Sequence, residues 1–134
     1  MQSITGTWQL IHTECIGTDG SALAAPYGGD SAFGLLSMRA DGRLICVLYN
    51  SSAELPSDEP REYNSYCGAF TFDGKKLITR VDASANPDWI GTDQIRDVHF
   101  DAEIMVLRPV KGSGPVTKGQ RVLRWVRLPD AVGS

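Results

Sequence analysis

The sequence predicts an all-β domain in which eight antiparallel strands close into an up-and-down barrel. Three observations carry that expectation. Asp41-Gly42 and Asp73-Gly74 each lie between apolar runs, which is a strong hairpin signal. No segment sustains apolar residues at i, i+3, i+4 and i+7 over ten positions, so no helix is expected. Eight meandering strands left open would expose two unpaired edges, and closure removes both.

Taken in order, residues 5–15 open with Gly-Thr-Trp and continue through β-branched and aromatic residues as a strand. Residues 17–30, rich in Gly, Ala and Ser and holding Pro26-Tyr27-Gly28-Gly29, read as a long loop. Residues 33–39 and 43–50 form the first tight hairpin around Asp41-Gly42. The polar stretch 51–62 contains Pro56 and Pro60, which forbid a continuous ladder and leave room for one helical turn. Residues 63–72 and 75–83 pair around Asp73-Gly74. Residues 92–100 and 103–108 are separated by Asp101-Ala102, and a Gly, Pro and Lys loop leads to a last strand at 120–128. Such short connections require antiparallel neighbours.

The chain of 134 residues suits one domain, 1–134, with 42% hydrophobic and 22% charged residues. Thirteen Lys and Arg against sixteen Asp and Glu give a formal charge of −3, which argues against nucleic acid as a partner. No apolar run approaches the ~20 residues of a membrane span, and the first residues lack the basic start of a signal peptide. Cys15, Cys46 and Cys67 are odd in number and widely spaced within apolar runs. They predict reduced, buried thiols and a cytoplasmic protein rather than a disulfide framework or a zinc site.

Strand alternation assigns faces. The apolar parity of 92–100 carries Val98 inward, and Gln94 and Arg96 with it. On 5–15, Trp8 and Leu10 share a parity with His12, and on 63–72 Tyr66, Phe70 and Phe72 fall together. Phe33 and Leu35 are taken as lumen residues of the next strand. The last strand stays open: Leu123 and Trp125 compete with Val122 and Val126, and the second parity would bring Arg124 inside. An eight-stranded barrel holds one small ligand, and a largely apolar wall with a few polar groups is the composition of a ligand pocket. The expected ligand-binding residues are Leu10, Phe33, Leu35, Phe70, Trp89, Gln94, Val98, Arg124 and Trp125.

Several of these residues carry a family resemblance. The chain resembles the bacterial and fungal lipocalin-like domain family, small calycin-type barrels. The matching stretches are Gly6-Thr7-Trp8-Gln9-Leu10, Pro26-Tyr27-Gly28, Gly34-Leu35-Leu36 with Asp41-Gly42-Arg43, Tyr66-Cys67-Gly68-Ala69-Phe70 and Leu123-Arg124-Trp125. The most specific is Asn86-Pro87-Asp88-Trp89-Ile90-Gly91-Thr92-Asp93-Gln94-Ile95-Arg96, similar to the family's Pro-x-Trp-x-Gly-Thr-x-Gln-x-Arg signature. Thr79 and Arg80 stand where the family often carries histidines, so no role of those histidines transfers. The resemblance implies a calycin barrel that binds small apolar molecules, some relatives acting on their ligand in biosynthesis.

Nucleotide, P-loop, zinc-protease and serine-hydrolase motifs are absent, so no cofactor or metal is expected. What remains is cofactor-free acid–base chemistry in an enclosed barrel: isomerisation, cyclisation or dehydration of a small hydrophobic or aromatic metabolite. His12 would be the general base or acid, Arg96 the oxyanion partner and Tyr66 the assisting donor. A carrier barrel without turnover is the alternative, and a lumen filled by its own side chains a third reading. From Ile104 to Pro129 six basic residues (Arg108, Lys111, Lys118, Arg121, Arg124, Arg127) meet no acid; placed around the mouth they would favour an anionic ligand. An exposed apolar strand face would also suit a homodimer.

Overall fold

The computed structural model describes residues 3–110 and 119–129. Its strands are β1 (Gly6–Gly17), β2 (Ala22–Leu23), β3 (Ala32–Met38), β4 (Arg43–Asn50), β5 (Tyr63–Phe72), β6 (Lys76–Ser84), β7 (Asp93–Asp101), β8 (Ile104–Pro109) and β9 (Gly119–Arg127). All pairings are antiparallel, and β1 joins β3 on one side and β9 on the other, so the sheet closes. Eight strands form the barrel. The ninth, β2, is a two-residue strand inside the expected long loop, paired to Cys15 and Ile16 of β1. A short 3-10 turn occupies Pro87–Trp89, and Pro26–Ser31 form a kinked turn in which Tyr27, Gly28 and Gly29 take positive φ. Residues 51–62 hold only turns.

Alternation fills the barrel as the apolar parity requires. Leu36 and Met38 of β3, Leu44 and Cys46 of β4, Leu77 of β6, Met105 and Leu107 of β8, and Trp125 of β9 are buried in one core with Trp8 and Leu10. Tight hairpins gather at one end of the barrel, at 39–42, 73–75 and 102–103. The long connections 18–31, 51–62 and 85–92 gather at the other, which is the mouth.

Two bulges interrupt the alternation. In β1 the register against β9 shifts between Leu10 and His12, so inward residues are even before the bulge (Trp8, Leu10) and odd after it (Thr13, Cys15). Between β5 and β6 the register shifts between Cys67 and Gly68, where Gly68 lies opposite Val81. A Cβ on Gly68 would sit 1.9 Å from the Arg80 carbonyl oxygen, so only glycine lets the strands approach this closely. The shift turns Ser84 toward Asn64, whose Oδ1 lies 3.5 Å from the Ser84 hydroxyl.

Candidate ligand-binding site

The polar residues of the lumen gather near the mouth, and the family-like block 86–96 positions most of them. Asn86 Oδ1 accepts from the Asp88 N–H (3.1 Å), Pro87 begins the turn, and the Thr92 hydroxyl donates to the Trp89 carbonyl (2.6 Å). Gly91 takes φ +80°, a conformation favouring glycine, and lets the chain enter β7. This turn lays the Trp89 ring edge-on against Tyr66, centroids 5.5 Å apart, with the indole N–H enclosed and without a protein partner among the described residues.

Two residues further along β7, Gln94 is buried at 3% exposure, and Arg96 follows on the same inward face. The Arg96 guanidinium donates to the Gln94 side-chain oxygen (2.8 Å) and to the Ile95 carbonyl (3.0 Å). No carboxylate pairs with it among the described residues. Its charge bears on Tyr66 and Cys46, which face each other across β5 and β4 and share a hydrogen bond. Burial dominates both groups: it pushes the Cys46 thiol up to about 12 and the Tyr66 phenol well above its ordinary range, so both stay protonated at neutral pH.

Tyr27 closes the mouth from above. Its φ of +58° is strained for a tyrosine, and the fold holds it there. Thr13 donates to the Pro26 carbonyl (2.8 Å), the Tyr27 N–H donates to Glu62, and Arg121 pairs with Glu62 (3.3 Å) while lying 5.8 Å from the Tyr27 ring centre. The ring joins the core, its hydroxyl bonds Asn64, and burial raises that phenol to about 12. The sequence offered Tyr27 only as part of a loop motif. Asn64 shares the parity of Tyr66 and was legible from alternation; Cys46 lay on a strand apolar on both faces.

Leu10, Phe70, Val98 and Trp125 face inward with Arg96, Gln94 and Tyr66. Four expected site residues do not. His12 is exposed, because the β1 bulge puts it on the outer face beside Arg124. Arg124 also points outward, since Leu123 and Trp125 take the inward parity of β9; it pairs with Glu14. Leu35 is 37% exposed and Phe33 packs edge-on with Tyr49 outside, ring centres 5.8 Å apart. Gly34 faces inward instead, and the reason is steric: a Cβ there would lie 2.7 Å from Leu48 Cδ2 and 3.2 Å from Trp125 Cη2. The basic run does not ring the mouth. Arg121 reaches it, Arg127 lies over Trp8 at the hairpin end, and Lys111 and Lys118 fall outside the described residues.

The outer His12–Glu14–Arg124 cluster behaves as an ordinary surface ion pair. The Arg124 hydrogen bond holds the Glu14 carboxyl below its usual value. A carboxyl lowered on folding adds stability above its unfolded range and loses it as pH falls. About a third of each side chain is exposed, so screening keeps the pair below ~1 kcal/mol. Glu14→Gln is therefore expected to cost less than about 1 kcal/mol at neutral pH and nothing in strong acid, as measured by urea unfolding.

A shallow groove of about 430 Å³ lies across β4, β5 and β6, walled by the outward-facing Ile45, Val47, Tyr63 and Cys67 and reaching Cys46, Tyr66 and Ser84. It brings together no charged side chain. Among the described residues, no three His, Cys, Asp or Glu side chains gather to hold a metal ion.

The sequence matches the family described as "Lipocalin-like domain" over residues 5–128. It is also 34% identical over 80 residues to the 4'-hydroxy-3'-methoxypropiophenone carrier protein ppsC of Aspergillus oryzae, an alignment covering 52% of this chain and 70% of that protein. No solved structure matches.

Proposed function

For this chain, which belongs to the lipocalin-like domain family, we propose a carrier function: it binds a small aromatic metabolite bearing oxygen substituents and releases it unchanged. The observation that carries this reading is the mouth-side half of the lumen. The Arg96 guanidinium, the Trp89 indole N–H and the Gln94 amide stand among Tyr66, Phe70 and Val98, so an aromatic body meets apolar walls and its oxygen meets donors. The named propiophenone carrier has a ligand of that kind, and its likeness to this chain supports the same class here.

Among the described residues, the lumen holds no group suited to start turnover. Proton abstraction needs a group that is unprotonated near neutral pH and within reach of the substrate. His12, the residue assigned that task from the sequence, is outside. Tyr66 and Cys46 keep their protons, and a guanidinium offers donors only. Glu62 sits at the rim, engaged by Arg121 and the Tyr27 N–H. The reading therefore follows the carrier alternative and sets the isomerase or cyclase aside.

Titration with 4-hydroxypropiophenone, followed by tryptophan fluorescence, tests it. Saturable one-to-one binding is expected, with the compound recovered unchanged after prolonged incubation. His12→Ala is expected to alter affinity by less than about twofold, since surface substitutions remote from a site are near neutral. Conversion of the compound, abolished by His12→Ala, would overturn the reading.

A further inference from the structure

The donors and acceptors around Arg96 do not balance, and the imbalance specifies the charge of the ligand. A guanidinium has five N–H donors and no acceptor. Two are spent on Gln94 and the Ile95 carbonyl, which leaves three without a protein partner among the described residues. The Trp89 and Trp125 indole N–H groups are enclosed and likewise without a partner among the described residues. The acceptors among the described residues are all neutral: Gln94 Oε1 already serves Arg96, Asn64 Oδ1 faces Ser84, and Tyr66 and Thr79 offer only hydroxyls.

Among the described residues, the acids nearby are committed elsewhere. Asp93 and Asp97, on the same strand as Arg96, face outward and pair with Arg80 (2.9 Å) and Lys76 (2.8 Å). Across from Arg96, β6 offers Leu77 and Thr79, β8 offers Pro109 and Leu107, β5 offers Tyr66 and β4 offers Cys46. Above them, Tyr27 is neutral, and Glu62 is neutralised by Arg121. Arg96 is half-buried, so solvent reaches its free donors in the empty protein; a ligand that displaces that solvent leaves the cation without a counter-ion unless the ligand is itself an anion.

We infer that the lumen takes its ligand as an anion: an aromatic compound with an ionisable hydroxyl, bound as the phenolate with its oxygen on the Arg96 guanidinium. The inference rests on the carrier reading and adds the ionisation state to it. Because the protein binds one protonation state in preference, the ligand's own pKa falls on binding. A compound whose hydroxyl is blocked loses the contact.

4-Nitrophenol, whose neutral and ionised forms absorb at different wavelengths, reports this directly, and 4-nitroanisole is the blocked analogue. With wild-type protein, the bound nitrophenol is expected to ionise at least about one pH unit below the free compound, equivalent to tenfold preference for the anion. Nitroanisole is expected to bind at least about tenfold more weakly than nitrophenol at a pH where the free phenol is ionised. Arg96→Gln should abolish the lowering and Arg96→Lys should retain part of it, so loss of charge is separated from loss of shape. If both compounds bind equally and the bound phenol ionises at or above its free value, the inference fails and the carrier reading stands. If neither compound binds, both fall together.

Discussion

Arg96→Met should weaken binding of a phenolic aromatic ligand by about ten- to a hundredfold while leaving the barrel as stable as before, or more so. The affinity loss follows from removing a charged donor to the ligand oxygen, an interaction worth roughly 1.5–3 kcal/mol. The stability result follows from the other side of the same fact. In the free protein Arg96 meets one amide oxygen and one carbonyl but no carboxylate among the described residues. Met keeps much of the aliphatic length, and the charge it removes from a half-buried site without a counter-ion offsets the loss of the hydrogen bond to the buried Gln94 oxygen. Opposite movements of affinity and stability are the mark of a residue kept for a ligand rather than for the fold. Ligand titration together with urea unfolding of the variant checks both halves. A loss of several kcal/mol of stability with affinity intact would make Arg96 a structural residue.

Trp8→Ala should be the most damaging single change for stability, at about 3–5 kcal/mol, with Tm lowered by about 10–20 °C. Trp8 is 1% exposed at the hairpin end of the barrel. Its indole N–H donates to the Ile4 carbonyl (3.0 Å), which ties the incoming chain to β1. One face carries the Arg127 guanidinium 4.3 Å from a ring centroid, and Phe100 packs at 6.3 Å. Arg127 in turn donates to the carbonyls of Ser3 and Thr5. Alanine would leave a cavity, orphan the Ile4 carbonyl and release the plug that Arg127 and residues 3–5 form. Thermal unfolding by circular dichroism measures the change; a fall below about 1 kcal/mol would show that this end is not a packed floor.

The barrel was legible in the chain because its signals are local. Asp41-Gly42 and Asp73-Gly74 fix two hairpins, and the alternation of Leu77, Thr79 and Val81, or of Gln94, Arg96 and Val98, assigns faces without knowledge of any neighbour. The inward facing of Arg96 and Tyr66 was legible that way. His12 was misplaced because a bulge is a property of two strands: the extra residue in β1 exists only against Trp125 and Arg124 of β9, and one residue reverses every face beyond it. Phe33 and Leu35 failed for a packing reason. Both parities of β3 are apolar, and the choice falls to Gly34 because Leu48 and Trp125 need its space. Trp125 and Arg124 compete for one lumen on a strand with apolar residues at both parities, and the large ring takes it. Tyr27 could not be read at all, since its entry depends on Thr13, Glu62, Asn64 and Arg121, scattered along the sequence.

The central claim is that an aromatic ligand lies in the lumen beside Arg96, Tyr66 and Trp89, rather than in the outer groove across β4–β6. The three tryptophan side chains give three indole N–H signals in a ¹H–¹⁵N spectrum, one each from Trp8, Trp89 and Trp125. On titration with 4-hydroxypropiophenone, the Trp89 signal should shift or broaden with the same midpoint as the fluorescence change, while Trp8, engaged by Ile4 at the hairpin end, stays in place. Movement of the Tyr63, Cys67 and Ala83 amides with a static Trp89 indole would put the ligand outside the barrel and contradict the claim.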